Sequence, residues 1–158
     1  MRLIDYSIDD IIFQVNNGKK LVCFGAGKAL ENFCNMFLEY NIAEYITCLA
    51  DNNEGLWGKK KNLFEKHVPI VPLSAIPQEI CSSAIVLISC QYLRSVYETL
   101  AKESSLADSM CCFYGFVIDK YSDMKLEKGF MDCNIVQDER YELPKVVLSC
   151  WFGPHPIP

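Results

Sequence analysis

The residues that could do chemistry gather around one turn. Gly25-Ala26-Gly27 follows the apolar run Leu21-Val22-Cys23-Phe24 and precedes a segment in which apolar residues recur at helical spacing. Glycines where a strand becomes a helix let the backbone bend tightly and leave the helix amides open to a phosphate. The dinucleotide-binding fingerprint has a third glycine three residues after the second; here that position is Leu30. Asp51 closes the next strand pattern about 24 residues after Gly27, close to the offset of ~20 at which an acid reaches ribose hydroxyls. Asp51-Asn52-Asn53 is also a turn-forming sequence in its own right. Lys28 would add positive charge beside a phosphate. Ser89 and Cys90 end the strand expected to lie beside the first, across the ligand crevice; Ser89 could instead cap the helix after it. The candidate binding set is therefore Gly25, Ala26, Gly27, Lys28, Asp51, Asn52, Ser89 and Cys90.

Reactive sets are sparse. His67 and His155 lie far apart in proline-bordered loops, and no serine sits in a GxSxG elbow. No Asp-x-Asp pair is present, and the adjacent Asp9 and Asp10 would point in different directions on a helix. No catalytic residue and no metal ligand is assigned. In the crevice only Cys90 or Tyr92 could serve as an acid or base.

Positioning that turn requires an alternation of elements. Leu3, Ile4, Ile8, Ile11, Ile12 and Val15 recur at helical spacing and predict a helix over 3–17, with a start signal at Ser7 and a stop at Asn16-Asn17-Gly18. Lys20 to Phe24 predicts a strand. From Lys28 to Tyr40 a helix is predicted, with Leu30, Phe33, Phe37 and Leu38 inward. Tyr45 to Ala50 is the second strand. Val68 to Pro72 is interrupted by prolines and predicts at most an edge strand. A short helix over 73–80 leads to Ala84-Ile85-Val86-Leu87-Ile88, apolar on both faces as in a covered parallel sheet. Gln91 to Glu103 predicts a helix and Met110 to Val117 a last strand. This order predicts an α/β domain over 1–118: a doubly wound, mostly parallel, Rossmann-like sheet of about five strands with helices on both faces. Residues 119–143 read as a charged linker, and Leu143 to Pro154 as a sixth strand pattern.

Composition narrows the classes. The chain has 158 residues, 51% of them apolar, so it holds enough for a core and is not a disordered sequence. Fifteen basic against twenty acidic residues give a net charge of −5, which argues against a nucleic-acid partner. Lys59-Lys60-Lys61 reads as a solvated loop. No apolar run approaches the ~18 residues of a membrane span, and Asp5 falls where a signal peptide would be apolar. The nine cysteines include no CxxC pair, so they read as small buried hydrophobes in a reducing, cytoplasmic setting.

Two segments resemble known families. Lys20 to Ile118, with LVCFGAGKALENF, CLADNNEGLWG, VPIVPLSAI and AIVLIS, resembles the Rossmann-like domain of bacterial polysaccharide gene clusters. That domain occurs alone, joined to glycosyltransferases, and at the front of sugar acyltransferases, where it binds a nucleotide-sugar. LPKVVLSCWFGPHPIP, from Leu143 to Pro158, is similar to the opening of capsular-polysaccharide glycosyltransferases with a DXD region, although Leu148-Ser149 departs from the His-Tyr of that family. The resemblance implies a nucleotide or nucleotide-sugar ligand, or NAD(P), at the candidate set, and a C-terminal glycosyltransferase domain as partner within the same protein. It implies that 144–158 is the start of a truncated catalytic domain, so that this chain alone transfers no sugar. An interaction module with a vestigial site and a small NAD-dependent enzyme are the competing expectations.

Overall fold

In the computed structural model, residues 1–90, 92–107, 109–113 and 127–128 are described. The expected linker at 119–143 and strand at 144–158 lie outside them, apart from the short strand at 127–128. The fold is α/β with a mostly parallel sheet. Among the described residues the sheet has eight strands, in the order β4-β5-β3-β2-β6-β7-β1-β8, rather than about five. The strands are β1 (Arg2–Asp5), β2 (Lys20–Phe24), β3 (Ile46–Ala50), β4 (Lys60–Leu63), β5 (Lys66–Val71), β6 (Ala84–Ile88), β7 (Met110–Phe113) and β8 (Glu127–Lys128). The α-helices are α1 (Ile8–Asn16), α2 (Lys28–Met36), α3 (Gln78–Cys81) and α4 (Leu93–Lys102).

The central run β5-β3-β2-β6-β7 is the strand order of a doubly wound sheet, in which the chain reverses direction beside its first central strand. β2 pairs in parallel with β3 on one side, Phe24 opposite Ala50, and with β6 on the other, Phe24 opposite Ile88. The ends of β2, β3 and β6 therefore lie side by side, and the loops leaving them meet. β6 anchors this centre: each of its residues is at most 1% exposed, so both faces of the sheet are covered there. Burying one such aliphatic side chain contributes about 1.5–3 kcal/mol.

The N-terminal helix is shorter than its apolar stripe. Leu3 and Ile4 belong to β1, which pairs in parallel with β7, Leu3 opposite Cys111. Helix α1 starts after Ser7, whose hydroxyl accepts from the Asp10 amide while the Asp10 carboxylate accepts from the Ser7 amide, a reciprocal cap. Two apolar neighbours before a cap fit either a strand or a helix; a partner more than a hundred residues away decides for the strand.

Helix α2 also ends early. Leu38 opens a separate 3-10 turn, Leu38–Tyr40, and is exposed instead of inward. Leu30 and Phe33 keep the buried positions expected of them.

The lysine run is strand as well as loop. Lys60 and Lys61 belong to β4, which pairs antiparallel with β5. Cationic side chains on an outer strand discourage pairing with another chain. β5 is thus an inner strand, between β4 and β3, despite its proline. Pro69 faces Lys60, next to a position where the Ile70 amide donates to the Lys59 carbonyl. Antiparallel pairs alternate between bonded and unbonded, so Pro69 occupies an unbonded pair. Pairing of β5 with β3 begins only at Ile70, and the missing N–H costs the sheet nothing.

The hairpin tip carries strain. Phe64 and Glu65 join β4 to β5, and Phe64 has φ 57° and is 51% exposed. The first position of such a loop favours glycine, and a left-handed angle costs other residues about 1–2 kcal/mol. Phe64→Gly is expected to raise unfolding stability by about 1 kcal/mol, because little packing is lost. The urea midpoint measures it, and a fall in midpoint would mean that the ring packs in solution.

Candidate functional site

The glycine turn is forced by its surroundings. Gly25 has φ 111°, and a Cβ there would lie 2.7 Å from the Ser89 carbonyl oxygen and 3.1 Å from Cys90 Cβ. The Gly25 amide donates to the Ala50 carbonyl at 2.8 Å, carrying the β2–β3 ladder one residue past the strand. On the other side, the Ser89 amide donates to the Phe24 carbonyl at 2.8 Å. The Ser89 hydroxyl lies 2.7 Å from the Gly25 carbonyl oxygen and 2.9 Å from that of Phe24. Ser89 is buried, and its hydroxyl holds the turn. It does not cap the following helix, whose N-cap is Tyr92. Ser89 therefore positions Gly25.

Gly27 differs from Gly25. It is the N-cap of α2, its φ is −94°, and it supplies no side-chain cap. A Cβ at Gly27 would meet nothing within 4 Å. The fold needs no glycine there for backbone angle or space. Ala26, between the two glycines, is buried, and its amide donates to Asp51 Oδ2 at 2.8 Å.

Asp51 is thus tied to the turn across the sheet. Its other oxygen, Oδ1, accepts from the Asn53 amide at 2.8 Å. Asn53 Oδ1 in turn accepts from the Gly55 amide at 3.0 Å. A carboxylate offers about four acceptor sites, so two amides leave capacity for the hydroxyls of a sugar. Asn52 is exposed beside it.

At the mouth of α2 two ammonium groups share one carboxylate. Lys28 Nζ lies 2.9 Å from Glu31 Oε2, and Lys61 Nζ lies 2.6 Å from Glu31 Oε1. Bonds from Lys61 first, then Lys28, hold the Glu31 carboxyl below its usual pKa. Lys28 is well exposed in this pair, and such surface pairs are weak, so its ammonium can turn toward an anion. Burial holds the Cys90 thiol above its usual pKa; a backbone hydrogen bond at Tyr92 opposes this and the Asp51 charge adds to it. A protonated thiol is a poor nucleophile.

The fold brings Gly25, Ala26, Gly27, Asp51, Ser89 and Cys90 together at the adjoining ends of β2, β3 and β6. One neighbour escaped the sequence reading. The indole N–H of Trp57 donates to the Asp51 carbonyl at 2.7 Å. Its signal was a large aromatic between Gly55 and Gly58 in the loop that Asp51 opens. His67 is elsewhere, on β5 opposite Asn62 of β4, and His155 lies outside the described residues.

Compared with known proteins, the chain matches no family model, no curated protein and no solved structure. Among the described residues no helix is long and apolar enough to cross a membrane.

Proposed function

We propose that this chain is a nucleotide- or nucleotide-sugar-binding accessory module of a polysaccharide glycosyltransferase, working in the cytoplasm and not catalytic alone. The observation that carries the binding is Gly27. It caps a nine-residue helix, needs no glycine for its own fold, and leaves open space where a Cβ would stand. A phosphate approaching the first amides of α2 would use that space. Asp51, held by the Ala26 and Asn53 amides, then meets the ribose. The parent activity and the partner domain rest on the resemblance of residues 20–118 and 143–158. Cys23, Cys34, Cys48, Cys81, Cys90 and Cys111 form no disulfide among the described residues, which suits a reducing compartment.

A second reading, an interaction module with a vestigial site, is favoured by Leu30. It stands at the third fingerprint position and is fully buried. An NAD-dependent enzyme has less support, since only Cys90, whose thiol burial holds above its usual pKa, and the exposed Tyr92 could serve as its acid or base.

Calorimetric titration with uridine and thymidine diphospho-sugars, NAD and S-adenosylmethionine separates the first two readings. At least one ligand is expected to bind. Asp51→Ala is expected to weaken that ligand by about tenfold or more, the loss of one charge-assisted hydrogen bond, and Gly27→Ser to weaken it as well, because its side chain fills the space the phosphate would use. Serine is a good N-cap, so Gly27→Ser should change stability by only a few tenths of a kcal/mol. Silence with every ligand would leave the interaction module.

A further inference from the structure

We propose that Trp57 is the wall on which the base of the bound nucleotide stacks; this rests on the binding reading above. A nucleoside held by its ribose at Asp51 carries its base one glycosidic bond from that sugar. The aromatic surface tethered to Asp51 itself is the indole of Trp57, bonded to its carbonyl oxygen at 2.7 Å. Trp57 is 37% exposed although its indole N–H is already bonded, so the polar edge of the ring is not what a neighbour would meet. An indole tied by its N–H and open on its hydrocarbon surface is suited to one apolar and one wet neighbour.

The loop holds this ring in advance of any ligand. From Asp51 onward the chain is locked at successive steps, by Asn53 on Asp51, Gly55 on Asn53, and the Trp57 amide on the Glu54 carbonyl at 3.2 Å. The Gly58 amide then donates to the Ile70 carbonyl of β5 at 3.0 Å, and Gly58 supplies φ 79°. Lost side-chain freedom weakens binding, and a ring already fixed avoids that loss. Stacking accepts any base, since each has a π face. Trp57 therefore contributes affinity for nucleotides as a class, and the sugar is chosen elsewhere.

The chain has two tryptophans, Trp57 and Trp151, so a Trp151→Phe background leaves Trp57 as the reporter. Uridine diphosphate glucose and NAD are titrated into it, with fluorescence and calorimetry in parallel, and ribose 5-phosphate as a base-free control. Saturable quenching is expected with a nucleotide and not with ribose 5-phosphate. Trp57→Leu is expected to weaken nucleotide binding about tenfold, the lower end of stacking on one base. Trp57→Phe keeps a stacking ring without the N–H and is expected to retain most of the affinity. Heat of binding without quenching, with Trp57→Leu unaffected, would overturn the role of Trp57 and leave the binding reading intact. Equal losses in Trp57→Phe and Trp57→Leu would overturn it too, by assigning the effect to the N–H tether. No heat from either nucleotide would overturn both.

Discussion

Gly25→Ala is expected to destabilise the domain by about 3 kcal/mol or more, the sum of a forbidden backbone angle and a clash. The angle, φ 111°, is one that L residues rarely adopt. The clash is with backbone: the new methyl would stand 2.7 Å from the Ser89 carbonyl oxygen. A flexible side chain could yield, but the end of β6 cannot move without breaking the Ser89 amide and hydroxyl bonds to Phe24 and Gly25. Each such bond contributes about 1 kcal/mol. Urea unfolding followed by circular dichroism reads the effect. A loss below about 1 kcal/mol would show that β2 and β6 are not pressed together at this turn. The contrast with Gly27 is the informative part, because two glycines two residues apart are predicted to fail differently. Substitution at Gly25 is expected to break the fold, and substitution at Gly27 to impair the proposed ligand site.

Leu30→Gly should be worse still. It completes the dinucleotide fingerprint on paper, yet it is expected to cost about 3–6 kcal/mol, combining the loss of a buried leucine with a glycine inside a helix. Leu30 is 0% exposed and shares the inner face of α2 with Phe33 and Cys34. In family fingerprints the third glycine allows close packing of helix on strand; here a leucine already fills that space. Whole domains are stable by only about 5–15 kcal/mol, so Leu30→Gly should be largely unfolded near body temperature. Leu30→Met, which roughly conserves volume, is expected to cost less than about 1.5 kcal/mol. Thermal melts of the three proteins give the comparison. A folded Leu30→Gly with tighter nucleotide binding would mean that α2 closes onto β2 when the side chain is removed.

Local signals were legible where one element carries its own instruction. Ala84 to Ile88 reads as a covered strand because five successive apolar residues leave no face for water. Ser7 and Asp10 mark the start of α1 because the cap is made within four residues. The turn at Gly25 is readable because residues other than glycine rarely adopt its φ of 111°. β1, β4 and the end of α2 were not. Leu3-Ile4 carries a spacing common to strand and helix. Lys60 looks solvated because it is, on an outer strand, whereas Lys61 points to the opposite face and pairs with Glu31. Leu38 follows the helical period but lies beyond the point where α2 stops. Within the site, Asp51 was found by its offset. Ser89 lies against the glycine turn and does not cap the next helix, since the carbonyl groups its hydroxyl meets belong to residues over sixty positions earlier. Trp57 was passed over because an aromatic in a loop has no period to reveal it.

The sequence by itself determined the α/β class, the three central strands, the glycine turn and the acid that follows it. These rest on short-range physics: apolar periodicity, capping, and the conformational freedom of glycine. Only the tertiary structure decided that Gly25 is demanded by the fold and Gly27 is not, that Asp51 is fastened to the Ala26 amide, and that Trp57 hangs from Asp51. Each of those depends on which strands lie side by side. Strand order is set by contacts between residues far apart in the chain, so a local reading of residue types does not contain it.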